Sequence, residues 1–193
     1  MVSQALIPRL VVIGASAGAV DVLRVVLPAF PKDASCSVVV VVHVPEGRPS
    51  LLADIFGPLC ALPVSEIDDK QPLTPGTIFF APPGYHTLIE DASTLSLSND
   101  DPQNYSRPSI DVLFDSAAEA LGDQVLGVLL TGASPDGAEG CVRIRAAGGF
   151  VIVQEPATCV SPVMPRAALD RGAADLVLSP EAIASYCARG ESA

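Results

Sequence analysis

A serine, a histidine and an aspartate each stand just beyond an apolar run of this 193-residue chain. Leu10-Val-Val-Ile13 leads into Gly14-Ala-Ser-Ala-Gly18. Ser37 and five valines lead into His43. Val125-Leu-Gly-Val-Leu-Leu130 leads into Thr131-Gly-Ala-Ser-Pro-Asp136-Gly137. These side chains suit acyl transfer: a hydroxyl attacks, an imidazole carries its proton, and a carboxylate orients the imidazole. Ser16, His43 and Asp136 are therefore the candidate catalytic residues. His43 is one of only two histidines, which narrows the choice of base. The other, His86, falls in what reads as a surface hairpin and is the weaker candidate.

Each residue also has a plainer reading. Ser16 reads equally as a helix N-cap, or as part of a dinucleotide-binding loop. The dinucleotide loop wants glycine at 16 and an acidic residue where His43 stands. Gly14 to Gly18 instead spells the G-x-S-x-G elbow, whose small residues let the backbone turn sharply and expose the serine. Asp136-Gly-Ala-Glu139 matches a capping box, so the carboxylate reads as the cap of the helix it precedes. The order Ser, His, Asp is not that of the α/β-hydrolases, so the elbow alone does not assign the chain to that fold.

The elements that must position these residues follow from periodicity. Apolar runs at 10–14, 36–43 and 124–130, the second carrying five β-branched valines in succession, predict parallel strands buried on both faces. Shorter strands are expected at 63–67, 77–80, 149–153 and 174–178. Helices are expected at 18–29, with Val20, Leu23, Val26 and Leu27 on its apolar face, then around 50–56, 136–147 and 166–171. Ser109 reads as the N-cap of another, ending near Leu121, and Pro180 starts the last. His86–Glu90 and Thr94–Ser98 read as a hairpin, and 99–108 as a polar loop. Strands alternating with helices predict an α/β fold: one doubly wound, mostly parallel sheet with helices on both faces and one inserted β-hairpin. A single domain over 1–193 is expected. In such sheets chemistry gathers past the carboxyl ends of the strands, where all three candidates lie.

Hydrophobic residues make up 49% of the chain, and the net charge is −11. Mean hydropathy is +0.44 and the pI is about 4.4. An acidic surface argues against nucleic acid or anionic membrane as partner. No apolar run is long enough for membrane insertion. Met1 to Pro8 lacks the charged and apolar regions of a signal peptide. The five cysteines are scattered with no C-x-x-C pair, which suits reduced thiols in a cytoplasmic protein better than disulfides or zinc. No metal and no cofactor are expected.

From Leu10 to Tyr186 the sequence resembles the catalytic domain of the chemotaxis protein-glutamate methylesterases, the CheB type. Val12-Ile-Gly-Ala-Ser-Ala-Gly18 resembles the family's nucleophile loop, and Val39-Val-Val-Val-His43-Val-Pro45 its histidine strand. Arg107-Pro-Ser-Ile-Asp-Val-Leu-Phe114 resembles the helix that follows. Leu130-Thr-Gly-Ala-Ser-Pro-Asp136-Gly-Ala-Glu-Gly140 resembles its aspartate loop, and Met164-Pro-Arg-Ala-Ala168 its late cleft segment. The resemblance implies Ser16 as nucleophile, His43 as base and acid, and Asp136 as orienting carboxylate. It implies hydrolysis of γ-glutamyl methyl esters on a methyl-accepting chemoreceptor, with glutamine deamidation as a second activity. Ala17, Ala133, Met164 and Arg107 are the oxyanion or cleft candidates. Ala17 stands where the family usually has threonine, Ala133 where it has methionine, and Val163 where it has glycine. The chain starts within ten residues of its first strand, so no receiver domain is expected ahead of it. Control is then expected from a separate regulatory protein, substrate supply or expression. Docking is expected to use Arg107, Arg143, Arg145 and Arg166. The rival readings are a non-catalytic interaction domain of the same fold, a general small-ester hydrolase and a nucleotide-binding module.

Overall fold

A computed structural model describes residues 8–44, 47 and 49–189. The readings of residues 1–7 and Pro45 fall outside them. Seven strands form one sheet in the order β3-β4-β2-β1-β7-β8-β9, and every pairing in it is parallel. The strands are β1 (Leu10–Ala15), β2 (Ser37–Val42), β3 (Val64–Glu66), β4 (Ile78–Phe80), β7 (Val125–Leu129), β8 (Phe150–Gln154) and β9 (Leu176–Leu178). The hairpin of β5 (His86–Asp91) and β6 (Thr94–Ser98) pairs separately and antiparallel. Six α-helices complete the described chain: α1 (Ala19–Val26), α2 (Leu52–Phe56), α3 (Ile110–Leu121), α4 (Ala138–Ala146), α5 (Val163–Asp170) and α6 (Pro180–Arg189).

Every residue of β1, β2 and β7 is buried, because alternate side chains enter two different cores. Val11, Ile13, Val38, Val40 and Val128 pack with α1, α2 and α6. Leu10, Val12, Val39, Val41 and Leu129 pack on the other face with α3, α4 and α5. Ile89 and Leu95 bring the hairpin into that second core, where β5 lies along α3. The three-layer architecture is thus the one the alternating pattern predicts.

Two local readings are corrected. Val20 is 36% exposed, whereas Leu23, Val26 and Leu27 are buried as expected; within α1 the buried set is Ala19, Val22, Leu23 and Val26. Those four form the i, i+3, i+4, i+7 stripe, and Val20 falls outside it. Helix α5 begins at Val163 and so includes Pro165. Proline is tolerated there because a first-turn N–H has no partner within the helix.

Candidate active site

Strands β2, β1 and β7 lie side by side, and their carboxyl ends set the site. The β1–β2 register ends at Ala15 opposite Val42, so Ser16 and His43 are the next residues on neighbouring strands. The His43 N–H continues the ladder to the Ala15 carbonyl at 3.2 Å. On the other side, the Ser16 N–H reaches the Thr131 carbonyl at 2.9 Å. Ser16 therefore sits between His43 and the loop that carries Asp136.

Thr131 holds the serine turn from a second direction. Its hydroxyl donates to the Ala17 carbonyl at 2.9 Å and accepts the Ser161 N–H at 3.0 Å. Gly18 closes the turn with φ +83°, and a Cβ there would strike Val160 and Thr131. Glycine is required both for the left-handed backbone and for that approach. Gly18 is also the α1 N-cap, so Ser16 is not the cap. Ala17 and Ala133 are exposed. Among the described residues, neither of their N–H groups has a hydrogen-bond partner.

His43 Nε2 lies 2.7 Å from Asp136 Oδ2. Asp136 is fully buried, whereas the His43 side chain is 14% exposed. With Nε2–H donated to the carboxylate, Nδ1 is left as the basic nitrogen. The Ser106 hydroxyl lies 3.5 Å from Nδ1, too long for a firm bond. Ser16 Oγ makes no hydrogen bond to His43, as is common before substrate tightens a site.

Asp136 does not cap its own helix. The N-cap of α4 is Gly137, without a side-chain bond. The carboxylate instead turns to the start of α3, so the capping-box reading is corrected. Oδ2 accepts the Ile110 N–H at 2.7 Å, while Oδ1 accepts the Ser109 hydroxyl at 2.8 Å and the Asp111 N–H at 3.2 Å. Oδ1 also accepts the Asn104 amide at 3.0 Å. Ser109 is the N-cap of α3 as expected, but its side chain serves Asp136 rather than the helix. Burial disfavours charge on Asp136. The bonds from His43, Ile110, Asn104 and Ser109 outweigh it and hold the carboxyl below its ordinary value.

A second carboxylate lies beside the first. Asn104 Nδ2 also donates to Asp111 Oδ2 at 2.8 Å, and the Gly140 N–H reaches Asp111 Oδ1 at 2.7 Å. Burial is the main reason the Asp111 carboxyl is pushed up to about 6, and the charge on Asp136 adds to it.

The remaining candidates fall differently. His86 is buried, not on the surface: Nδ1 accepts the Ser109 N–H at 3.1 Å, and Nε2 faces the Asp101 carbonyl at 3.2 Å. The hairpin packs against α3, and that contact buries its first residue. Met164 is fully buried and so does not line a cleft. Its N–H bonds the Gly132 carbonyl at 3.0 Å and its side chain fills the space beside Gly132. Arg107 lines an open groove of about 350 Å³ with His43, Tyr105 and Ser106, and donates to the Asn99 and Asp100 carbonyls. Arg145 is tied to Asp175 at 2.9 Å, near the start of β8 and away from the site. Arg143 sits in loose surface pairs with Asp115 and Glu139, each at 3.8 Å.

Asn104 and Ser106 escaped the sequence reading because 99–108 looks like any polar loop. Their signal was an asparagine at a tight turn just before Arg107-Pro108. Asn104 and Tyr105 have φ of +50° and +60°, and Gln103 and Ser106 exchange backbone hydrogen bonds across them. That is a two-residue hairpin turn, where asparagine is favoured.

The fold and these residues define a doubly wound α/β protein with serine, histidine and aspartate gathered past three neighbouring strands. Residues 11–187 match the family model described as CheB methylesterase, and the chain belongs to that family. A Leptospira interrogans protein, provisionally named protein-glutamate methylesterase/protein-glutamine glutaminase, is 40% identical over 93% of both chains. A protein of that name from Symbiobacterium thermophilum is 37% identical over 94% of this chain, which spans 50% of its length. The crystal structure of the Thermotoga maritima CheB methylesterase catalytic domain superposes with TM-score 0.90 at 32% identity. That match covers 94% of this chain and 98% of the other.

Proposed function

We propose that residues 1–193 form a single catalytic domain that hydrolyses γ-glutamyl methyl esters on a methyl-accepting chemoreceptor. Glutamine deamidation is the second activity of the same site. The observation that carries this is the 2.7 Å bond between His43 and a fully buried Asp136, one strand from Ser16. Family membership supplies the substrate class.

Ser16 Oγ attacks the ester carbonyl while its proton passes to His43 Nδ1. Asp136 stays ionised, since it accepts bonds from five donors and donates none; it orients the ring and stabilises the imidazolium. The tetrahedral oxygen takes the open N–H groups of Ala17 and Ala133, which need no side chain to donate. That backbone origin lets alanine stand at both positions. The intermediate collapses, His43 returns the proton to the methoxy oxygen, and methanol leaves. Water then attacks the acyl-enzyme by the same proton route and frees the glutamate carboxylate. With glutamine, ammonia replaces methanol.

The test is methanol release from methylated receptor membranes, with hydrolysis of an aryl ester as the second arm. Release by the wild type and none by Ser16→Ala is the expected result. Turnover of the aryl ester without methanol release would reject the receptor as substrate.

A further inference from the structure

Tyr105 stands entirely in solvent, with a relative exposure of 104%. It is the most exposed of the chain's three tyrosines and six phenylalanines; Tyr85, the next, is 48% exposed. Its backbone is left-handed as well, at φ +60°. A non-glycine residue holds that conformation at a cost, and such residues cluster where strain serves a function.

The surroundings explain how the strain is sustained. Asn104 extends its amide inward to the buried Asp136 and the half-buried Asp111, fixing one side of the turn to the two carboxylates. The Gln103–Ser106 backbone bonds close the turn, at 3.2 and 2.8 Å. Arg107 fastens the following strand of the loop to the Asn99 and Asp100 carbonyls. The turn is therefore tied to Asp136, the carboxylate that also holds His43, and it presents Tyr105 on the wall of the groove that His43 lines.

We propose that Tyr105 is a substrate-recognition residue, packing its ring on the receptor segment that flanks the methylated glutamate. This rests on the receptor reading above and names a contact for it. A lone glutamyl side chain offers the site little surface. A rigid aromatic ring offers a large apolar face with few rotamers to lose, the usual make-up of an interface anchor. Anchoring the turn to Asp136 fixes the distance between that contact and the base.

The experiment compares wild type, Tyr105→Phe, Tyr105→Ala and Tyr105→Gly on two substrates. One is a soluble, methylated receptor fragment free of lipid, so that a ring that merely enters membrane produces no effect. The other is p-nitrophenyl acetate. Tyr105→Ala and Tyr105→Gly are expected to raise KM for the receptor fragment about tenfold, while Tyr105→Phe stays within about twofold. The loss in kcat/KM should be much larger for the receptor fragment than for the aryl ester. Glycine relieves the left-handed strain, so a defect shared by alanine and glycine belongs to the missing ring. Unchanged KM in Tyr105→Ala, or parallel losses on both substrates, would overturn the assignment while leaving the methylesterase reading intact. No methanol from the wild type, with the aryl ester still hydrolysed, would overturn both.

Discussion

Asp111 and Asp136 each cap the helix that the other belongs to or precedes. Asp136, ahead of α4, takes the Ile110 and Asp111 N–H groups at the start of α3. Asp111, in the first turn of α3, takes the Gly140 N–H in the first turn of α4. Anions at helix N-termini are favoured, and here two such sites are shared crosswise with Asn104 between them. The carboxylate that faces His43 is thus also a fastening between two helices.

Asp136→Asn should lose stability as well as activity. An amide keeps one oxygen and sets its NH2 either against the His43 and Ile110 donors or against those of Ser109, Asn104 and Asp111. We expect a loss of about 3 kcal/mol by chemical denaturation, against about 1 kcal/mol for Ser109→Ala. Equal losses for the two variants would contradict the shared cap.

Asp111 should leave its mark on the pH dependence of stability. Its folded value of about 6 lies above that of an unfolded aspartate. The stabilisation it gives is complete below the unfolded value and fades as pH rises through about 6. Asp136 acts oppositely, because its value is lowered: its contribution is present above the unfolded value and is lost in acid. Melting temperature measured from pH 5 to 8 should therefore carry a falling component that Asp111→Asn removes. Parallel curves for wild type and variant would reject this.

A fluorophosphonate should label Ser16 and not Ser106, although the Ser106 hydroxyl lies 3.5 Å from His43 Nδ1. Peptide mass mapping reads the outcome, and label on Ser106 would reassign the nucleophile. His43→Ala should abolish labelling, and Ser16→Ala or His43→Ala should each reduce ester hydrolysis by about 10⁴-fold. Circular dichroism should be unchanged in both variants.

Thr131→Val keeps the side-chain shape and removes the bonds to Ala17 and Ser161. The expected effect is a fall of about tenfold in kcat, with about 1 kcal/mol lost from stability. A stability loss with normal kcat would mean that the serine turn holds itself.

The sheet was readable because β1, β2 and β7 are uninterrupted apolar runs, five valines in succession in β2, a pattern that burial on both faces explains. Their ends place Ser16 and His43 with little further information. Asp136 was found for the same reason and misread for another. Asp136-Gly-Ala-Glu139 obeys the local rule for capping α4, but a partner from α3 offers more donors and wins. His86 was misplaced because the alternation of β5 shows that it is a strand, not what covers it. Nothing local in 99–108 states that Asn104 bridges a buried acid, Asp136, and a half-buried one, Asp111: that contact exists only once α3 and α4 are docked.

The bond from His43 to Asp136 joins residues 93 positions apart. At about 5–20 residues per second, a ribosome takes roughly 5–20 s to supply the second after the first. During that interval the chain carries its serine and its imidazole with no carboxylate to orient the base. Hydrolytic competence then arrives late in synthesis, when β7 enters beside β1 and carries the acid in behind it. An unfinished chain is spared from attacking esters around the ribosome by the order in which its parts are made.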